Sequence, residues 1–338
     1  MDAIILVGGQ GTRLRPLTEM RHKSLVPVCN RPAIEYLFDW LRGSGITRAV
    51  LAIGQHNDDL LAACPEGTFD ELSLVHVIER ERLESGGAIR NAVSAAAIEG
   101  RFVVLNGDVF VDFDLCEALS VHEQRKAALT IALHAVDDPS QFGVAVVDGD
   151  GLVTGFIEKP PPGEAPSNLI NAGVWIFEPE LVAEIPPGAV RVEETLFPSL
   201  VARGRRVLGY EFAGRWADIG TPARYLALCC DLALDEPTRA VAATASVDAA
   251  AVVTASCIGD GTRIEGGAVV ERSVLWERVS VGRDAAIRDS VIADGVTIGP
   301  GASVDGAVVA SHAVIPAGNV VPPGTSIAPG TTFKEEGA

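Results

Sequence analysis

Glycine, arginine and lysine gather near the N-terminus in an order that suits phosphate chemistry. An apolar run at residues 3–7 enters Gly8-Gly9-Gln10-Gly11-Thr12, Arg13 follows at once, and Lys23 stands ten residues later. Glycines let backbone N–H groups approach phosphate oxygens, because no Cβ intervenes and positive φ is open to them. Arg13 supplies a planar fork of donors and Lys23 a compact charge, a pairing that suits a triphosphate. Leu14 stands where a dinucleotide fingerprint has its third glycine, and no Gly-Lys-Ser/Thr follows as in a P-loop. Both of those motifs are excluded, and a plain strand-to-helix turn is the remaining alternative for a bare Gly-x-Gly.

Carboxylates recur at turns further along. Asn106-Gly107-Asp108 follows the run 102–105, and Asp218 sits in Trp216-Ala217-Asp218-Ile219-Gly220. Mg²⁺ takes one or two carboxylates and completes its shell with phosphate oxygens and water, although a lone Asp turn is also ordinary turn chemistry. Glu158-Lys159 precedes a run of three prolines; on an extended segment these two side chains are expected on opposite faces. Leu83-Glu84-Ser85-Gly86-Gly87-Ala88 opens a predicted helix, and Glu193 precedes another, where a glutamate also suits a helix N-terminus. Of the 27 basic residues only Lys23, Lys126, Lys159 and Lys334 are lysine, and two of these fall in the motifs above.

The string Gly9-Gln10-Gly11-Thr12-Arg13-Leu14-Arg15-Pro16-Leu17-Thr18, with Lys23 and Pro27-Val28, resembles the signature of the sugar-1-phosphate nucleotidyltransferases, especially the mannose-1-phosphate guanylyltransferase branch. It departs from the family at Arg21-His22, where proline usually precedes the lysine, and at Glu84, which replaces a glycine of the base-binding loop. The resemblance implies nucleotide contacts from Leu6, Gly8, Gly9, Gly11 and Thr12, from Glu84, Ser85, Gly86 and Gly87, and from Asn106 and Gly107. It implies sugar contacts from Gly143, Glu158, Asn171 and Glu193, and Mg²⁺ on Asp108 and Asp218. Arg13, Lys23, Asp108, Lys159 and Asp218 would then be catalytic.

The implied reaction moves a nucleotidyl group from an NTP, GTP first, to mannose 1-phosphate or a related hexose, heptose or octose 1-phosphate. The acceptor is already anionic at neutral pH, so the site must position and neutralise rather than deprotonate. A carboxylate at Glu84 can accept from guanine N1–H and N2–H₂, but uridylyltransferase relatives also carry an acid there. Glucose-1-phosphate thymidylyl- or uridylyltransfer is therefore an alternative. A hexapeptide acyltransferase, with His312 as base, and a non-catalytic sugar-nucleotide sensor are others.

The elements that must hold these residues fall into two patterns. Strands are predicted at 3–7, 49–53, 74–78, 102–105, 129–135, 144–147, 174–177 and 207–212, alternating with helices at 33–42, 86–97, 115–125, 193–202 and 222–232. Such alternation argues a Rossmann-like, mostly parallel α/β sheet over residues 1–232, with ligands beyond the carboxyl ends of the strands. After a linker at 233–240 the pattern changes. Val241/Val247/Val253, Ile258/Ile264/Val270, Leu275/Val281/Ile287, Ile292/Ile298/Val304 and Val309/Ile315/Val321 form five triplets whose corresponding members lie 17 residues apart. Steps of six, six and five describe one turn of a three-sided solenoid, with one inward aliphatic per face over 241–327. Gly259, Gly282 and Gly299 follow inward positions, as tight corners require. The family's second domain, a left-handed parallel β-helix, is similar. Residues 328–338 read as a polar, frayed tail.

Composition narrows the partners. The chain has 338 residues, 48% hydrophobic, and a net charge of −18, a field that opposes nucleic acid and anionic membranes. The N-terminus shows no signal-peptide pattern, and no apolar stretch is long enough to span a bilayer. Cys29, Cys64, Cys116, Cys229, Cys230 and Cys257 are scattered without a Cys-x-x-Cys pair, which fits reduced thiols in a cytoplasm. A homo-oligomer, dimer or tetramer, formed through solenoid β-edges is expected.

Overall fold

The computed structural model describes residues 1–55 and 57–334. It divides into two compact units: Met1–Gly9 with Ile34–Trp216, and Gln10–Ala33 with Ala217 onward. The segment that carries Arg13 and Lys23 groups with the solenoid.

The first unit is built on a ten-stranded sheet. Its strands are β1 (Asp2–Val7), β2 (Arg48–Ile53), β3 (Gly67–Phe69), β4 (Leu72–Ile78), β5 (Phe102–Asn106), β6 (Leu129–Ala135), β7 (Gly143–Val147), β8 (Val153–Glu158), β9 (Leu169–Phe177) and β10 (Val207–Glu211). The order along the main path is β8-β7-β9-β5-β1-β2-β4-β3, with β6 joining β9 to β10. Strands β5, β1, β2 and β4 run parallel, and β9 and β7 add antiparallel pairings to that nucleus. The sheet is thus mixed around a parallel centre. Central strands such as Ala-Ile-Ile-Leu-Val are apolar on both faces, as a sheet covered on both sides demands. Helices α1 (Ala33–Gly43), α2 (Asp58–Ala63), α3 (Glu84–Ala95), α4 (Leu115–Gln124) and α5 (Leu196–Ala202) complete the unit's regular elements. The chain is poor in aromatics, yet Phe102 stacks on Phe177 at 5.5 Å and Phe197 packs edge-on to Phe156 and Trp175, so its rings are concentrated in this core.

In the second unit, α6 runs Pro222–Asp235 and α7 Pro237–Ala240, so the expected linker is largely helical. Thr221 caps α6, its hydroxyl accepting from the Arg224 N–H. The solenoid follows as three stacks of five short parallel strands, the three-sided solenoid that the repeat implied and consistent with the left-handed β-helix of the resembled family. Register follows the 17-residue period: Val247 pairs with Ile264, Val253 with Val270 and Ile258 with Leu275. From Ile258 to Val321 every predicted inward residue is buried, each contributing about 1.5–3 kcal/mol of transfer free energy. Val241 and Val247 do not follow the rule and are 38% and 37% exposed, because a terminal coil has no coil stacked beneath it.

A Cβ on Gly259 would sit 2.5 Å from the Trp276 backbone of the next coil, and one on Gly299 2.4 Å from Ala317 N. These corners exclude side chains by close approach, not by φ. Serines form a ladder along one edge, where Ser273 N–H donates to Ser256 Oγ and Ser290 N–H to Ser273 Oγ. Part of the expected frayed tail is held: Gly330 and Phe333 N–H donate to Ser311 and Val314 carbonyls, and Phe333 packs on the solenoid core. Residues 335–338 of that tail lie outside the described residues.

Candidate active site

In the first unit the glycine turn begins as β1 ends. Gly8 lies against a buried carboxylate, with its Cβ position 3.3 Å from Glu79 Oε1. Glu79 follows β4 and accepts from the Leu83 N–H at 3.2 Å; burial nonetheless pushes its carboxyl above the ordinary glutamate range. One strand over, β5 carries Asn106, whose Cα pairs with Leu6, and the Gly107 N–H donates to the Leu6 carbonyl at 3.0 Å. Leu6, Asn106, Gly107 and Asp108 therefore share one end of the parallel nucleus. Gly173 has φ of 75° and leaves room for the Asn106 amide, 2.7 Å from where a Cβ would lie.

The 83–88 segment is shaped by its own chain. Glu84 adopts φ of 55°, which explains a glycine at this place in the family, since L side chains lose about 1–2 kcal/mol there. Its carboxylate is held by Arg82 Nε at 2.8 Å and Arg191 Nε at 3.1 Å. Gly86 and Gly87 are buried against residues 188–190: Cβ atoms there would meet Val190 Cγ2 at 2.9 Å and the Gly188 carbonyl at 2.6 Å. Those glycines make room for a neighbouring loop of the same unit.

Beside them is a pocket of carboxylates. Ser85 Oγ donates to Glu193 Oε2 at 2.6 Å and accepts from the Val192 N–H. Burial raises the Glu193 pKa, and the charge of Glu158 raises it further. Glu158 pairs in register with Gly143, where a Cβ would come within 2.6 Å of Glu158 Oε2. Lys159 does not point away from Glu158 as the extended reading required. The strand ends at Glu158, Lys159 turns to φ of 48°, and its ammonium reaches Glu158 Oε1 at 3.4 Å. Asn171 lies inside β9 rather than before a strand, at an irregularity where its Oδ1 accepts from Trp175 Nε1 at 2.8 Å and the Gly173 N–H at 3.0 Å. Glu193 itself precedes α5, which starts at Leu196.

In the second unit the rest of the loop closes on itself. Gly11 has φ of 60° and caps a short turn, Thr12–Leu14. Thr18 Oγ1 donates to the Gly11 carbonyl at 2.8 Å, and Lys23 Cβ lies 3.1 Å from the Cβ position of Gly11. The two ends of the signature are thereby joined. His22 stands where the family usually has proline; its φ of −61° is the value proline imposes, and its Nδ1 accepts from the Ser24 N–H at 3.2 Å.

Arg13 and Asp218, 205 positions apart, meet at Gly220, whose Cβ position is 3.0 Å from Arg13 Nη2 and 2.6 Å from Asp218 Oδ1. Asp218 accepts from the Gly220 N–H at 2.6 Å and Arg224 Nη1 at 2.7 Å. Arg224, Arg191 and Glu79 were not legible as site residues; only Arg224 had a signal, being placed in the first turn of a helix just after the Asp218 motif. His312 covers Gly295 of the preceding coil, its Nδ1 2.6 Å from a Cβ there, which is a packing role.

Among the described residues no cluster of three or more His, Cys, Asp and Glu is placed to hold a metal. Asp108 and Asp218 are carboxylates, the hard oxygen donors that a Mg²⁺-type ion takes together with phosphate oxygens and water, so the donor chemistry fits such an ion. No described helix is long and apolar enough to cross a membrane.

An α/β sheet whose first strand enters a glycine-rich loop, followed in sequence by a hexapeptide-type solenoid, defines the class. Residues 2–234 match the Nucleotidyl transferase family and residues 237–325 the GlmU-like C-terminal hexapeptide family. The chain belongs to the nucleotidyl transferase family. It is 35% identical to a mannose-1-phosphate guanylyltransferase of Mycobacterium tuberculosis over 69% of this chain and 64% of that one. It is 36% identical to a mannose-1-phosphate guanylyltransferase catalytic subunit beta of Danio rerio over 68% of this chain and 64% of that one. The chain thus spans less than two thirds of the length of these curated relatives. Among solved structures it is similar to HddC from Yersinia pseudotuberculosis complexed with GMP-PN, with 25% identity, a TM-score of 0.58, and coverage of 68% of this chain and 99% of that one. It is also similar to a UDP-glucose pyrophosphorylase from Acinetobacter baumannii, with 26% identity, a TM-score of 0.59, and coverage of 70% and 94%.

Proposed function

We propose that the chain transfers a guanylyl group from GTP to a hexose 1-phosphate, mannose 1-phosphate first, releasing pyrophosphate. The observation that carries this reading is the signature loop. Gly11 takes the left-handed turn with Lys23 against it, and Arg13 and Asp218 both lie against Gly220, which supports a shared role for the residues that the resemblance assigns to the triphosphate. The relatives' names support guanylyl and mannosyl chemistry; UDP-glucose pyrophosphorylase among the structural neighbours makes the nucleobase an arm of the test.

In this reading Arg13 and Lys23 neutralise the triphosphate and draw charge onto departing pyrophosphate. Glu158, Glu193 and Asn171 accept or donate to sugar hydroxyls, and Lys159 orients the acceptor phosphate. The backbone of Gly8 and Gly9 approaches phosphate oxygens, Leu6, Asn106 and Gly107 line the floor, and Glu84–Gly87 flank the base. Arg82 and Arg191 hold Glu84, so that carboxylate positions the loop and is shared with the base at most through its remaining lone pairs. Mg²⁺ would be held by Asp108 and Asp218, where it would neutralise phosphate charge. Because the sugar phosphate is already a nucleophile, no general base is required.

A cytoplasmic location and a homo-oligomer belong to the same reading; all six cysteines are free thiols, and solenoid residues such as Val252 and Val320 are exposed. Pyrophosphate release measured across four NTPs and a panel of sugar 1-phosphates tests the proposal. GTP with mannose 1-phosphate is the expected pair, and activity confined to UTP or dTTP overturns the guanylyl assignment.

A further inference from the structure

One of the two departures from the family signature, Arg21-His22, lies where the loop meets the solenoid. Arg21 Nη2 donates to Asp294 Oδ2 at 3.0 Å and lies 3.9 Å from Glu277 Oε1. Its guanidinium carbon stands 5.0 Å over the Trp276 ring. Glu277 and Asp294 occupy equivalent places on successive coils, 17 positions apart, and the Glu277 N–H donates to Asp294 Oδ1 at 3.2 Å. Arg21 therefore spans two coils with an acid from each and an aromatic face between.

The same tryptophan is tied to the other end of the loop. Trp276 Nε1 donates to the Tyr225 hydroxyl at 2.9 Å, and that hydroxyl donates to the Pro27 carbonyl. Further along, Cys29 Sγ lies 3.4 Å from Cys257 Sγ on the solenoid, and the Asn30 amide donates to the Arg239 and Ala240 carbonyls. Lys23 lies between the two anchor points, in the turn that His22 caps. A lysine on a flexible stem gains placement only from a fixed backbone.

We infer that Arg21 is a positioning residue for nucleotidyl transfer: its clamp on Trp276, Glu277 and Asp294 makes the solenoid the support that fixes the Lys23 backbone. The inference rests on the proposed role of Lys23 at the triphosphate. A half-buried guanidinium between two carboxylates and an indole face is pre-organised for this purpose. The solenoid thus acts on the reaction through the path of a loop, with none of its own residues touching substrate.

The test uses the full-length chain with GTP, mannose 1-phosphate and Mg²⁺. R21A is expected to lower kcat on the order of tenfold while leaving the KM for mannose 1-phosphate within about twofold, since only an interaction that matures in the transition state is misplaced. R21K should recover part of the loss, keeping a cation over Trp276 without the fork. D294N should fall between wild type and R21A. Combined with K23A, R21A should add almost nothing to the loss caused by K23A alone, because both act through one ammonium. A purely structural role would lower thermal stability without that non-additivity. R21A turnover equal to wild type, or losses from R21A and K23A that multiply, overturns the inference. If R21A does not fold, R21K and D294N carry the same comparison. A wild-type chain inactive with every NTP overturns the transferase reading and the inference with it, whereas an active wild type matched by R21A overturns the inference alone.

Discussion

Two carboxyls of the α/β unit and two of the solenoid-bearing unit are answered differently. In the α/β unit, Glu79 meets a backbone N–H and Glu193 a serine hydroxyl, and burial pushes both acids up. In the solenoid-bearing unit, Asp218 meets Arg224 and Asp294 meets Arg21. A carboxyl that is desolvated and partnered by neutral donors is suited to hydroxyl groups, as on a sugar. A carboxylate matched by guanidinium belongs among phosphates and cations. The difference teaches that one functional group can be prepared for different partners by changing only its neighbours; in the proposed reading Glu193 would serve a sugar hydroxyl and Asp218 the metal and phosphates.

The strongest challenge to that reading removes a charge from the proposed metal site. Asp218→Asn, or Asp108→Asn for the other proposed metal ligand, is expected to slow pyrophosphate release by on the order of 10²–10³-fold at saturating Mg²⁺. Near-wild-type turnover in either variant would remove that residue from the phosphate chemistry.

Steric tolerance separates the units next. Gly259→Ala would force a methyl to 2.5 Å from the Trp276 backbone of the next coil, and urea unfolding should register a loss of about 1–3 kcal/mol. An unchanged midpoint would mean that stacked coils can part without penalty.

Glu193 supplies a test of its neutral surroundings through pH. Its folded pKa lies above the ordinary 4.5, so the native state keeps a proton longer than the unfolded chain. Stability therefore declines as pH rises from 4.5 through the raised value, and that decline vanishes in Glu193→Gln. Calorimetry should find the variant melting roughly 2–4 °C above wild type near neutral pH and level with it at about pH 4. A lower melting point near neutrality would show that the ionised carboxylate is stabilised there after all.

The smallest effect belongs to the solenoid's open end. Val247→Ala is expected to change stability by no more than about 0.5 kcal/mol, because that side chain is already 37% exposed. A loss resembling a buried position would mean that something covers the first coil in solution.

How much of this was legible depends on how far apart the causes lie in sequence. The solenoid could be read because stacking repeats one requirement every 17 residues, so Ile264, Val281 and Ile298 announce one another. Gly11 was legible too, since a left-handed turn demands a residue type. Asn171 was found through the family, but not the irregularity in β9 that spends its carbonyl on Trp175 and Gly173. Lys159 was misread because a strand was extended one residue past its end. Arg21 with Asp294, and Arg191 with Glu84, join residues 273 and 107 positions apart, and nothing in either local string names the other. Periodic and stereochemical constraints are written locally, whereas ion pairs are settled by tertiary approach.

The coil-by-coil register of Glu277 and Asp294 has an evolutionary consequence. A solenoid lengthens or shortens by whole turns, and turns beyond Asp294 can be gained or lost while both acids stay opposite Arg21. Deleting one coil earlier in the repeat would bring Ser311 to the place of Asp294 and remove an acid from the arginine's reach. Length variation in descendants of this chain should therefore collect at the C-terminal end, with the first coils inherited as a block together with the loop that leans on them.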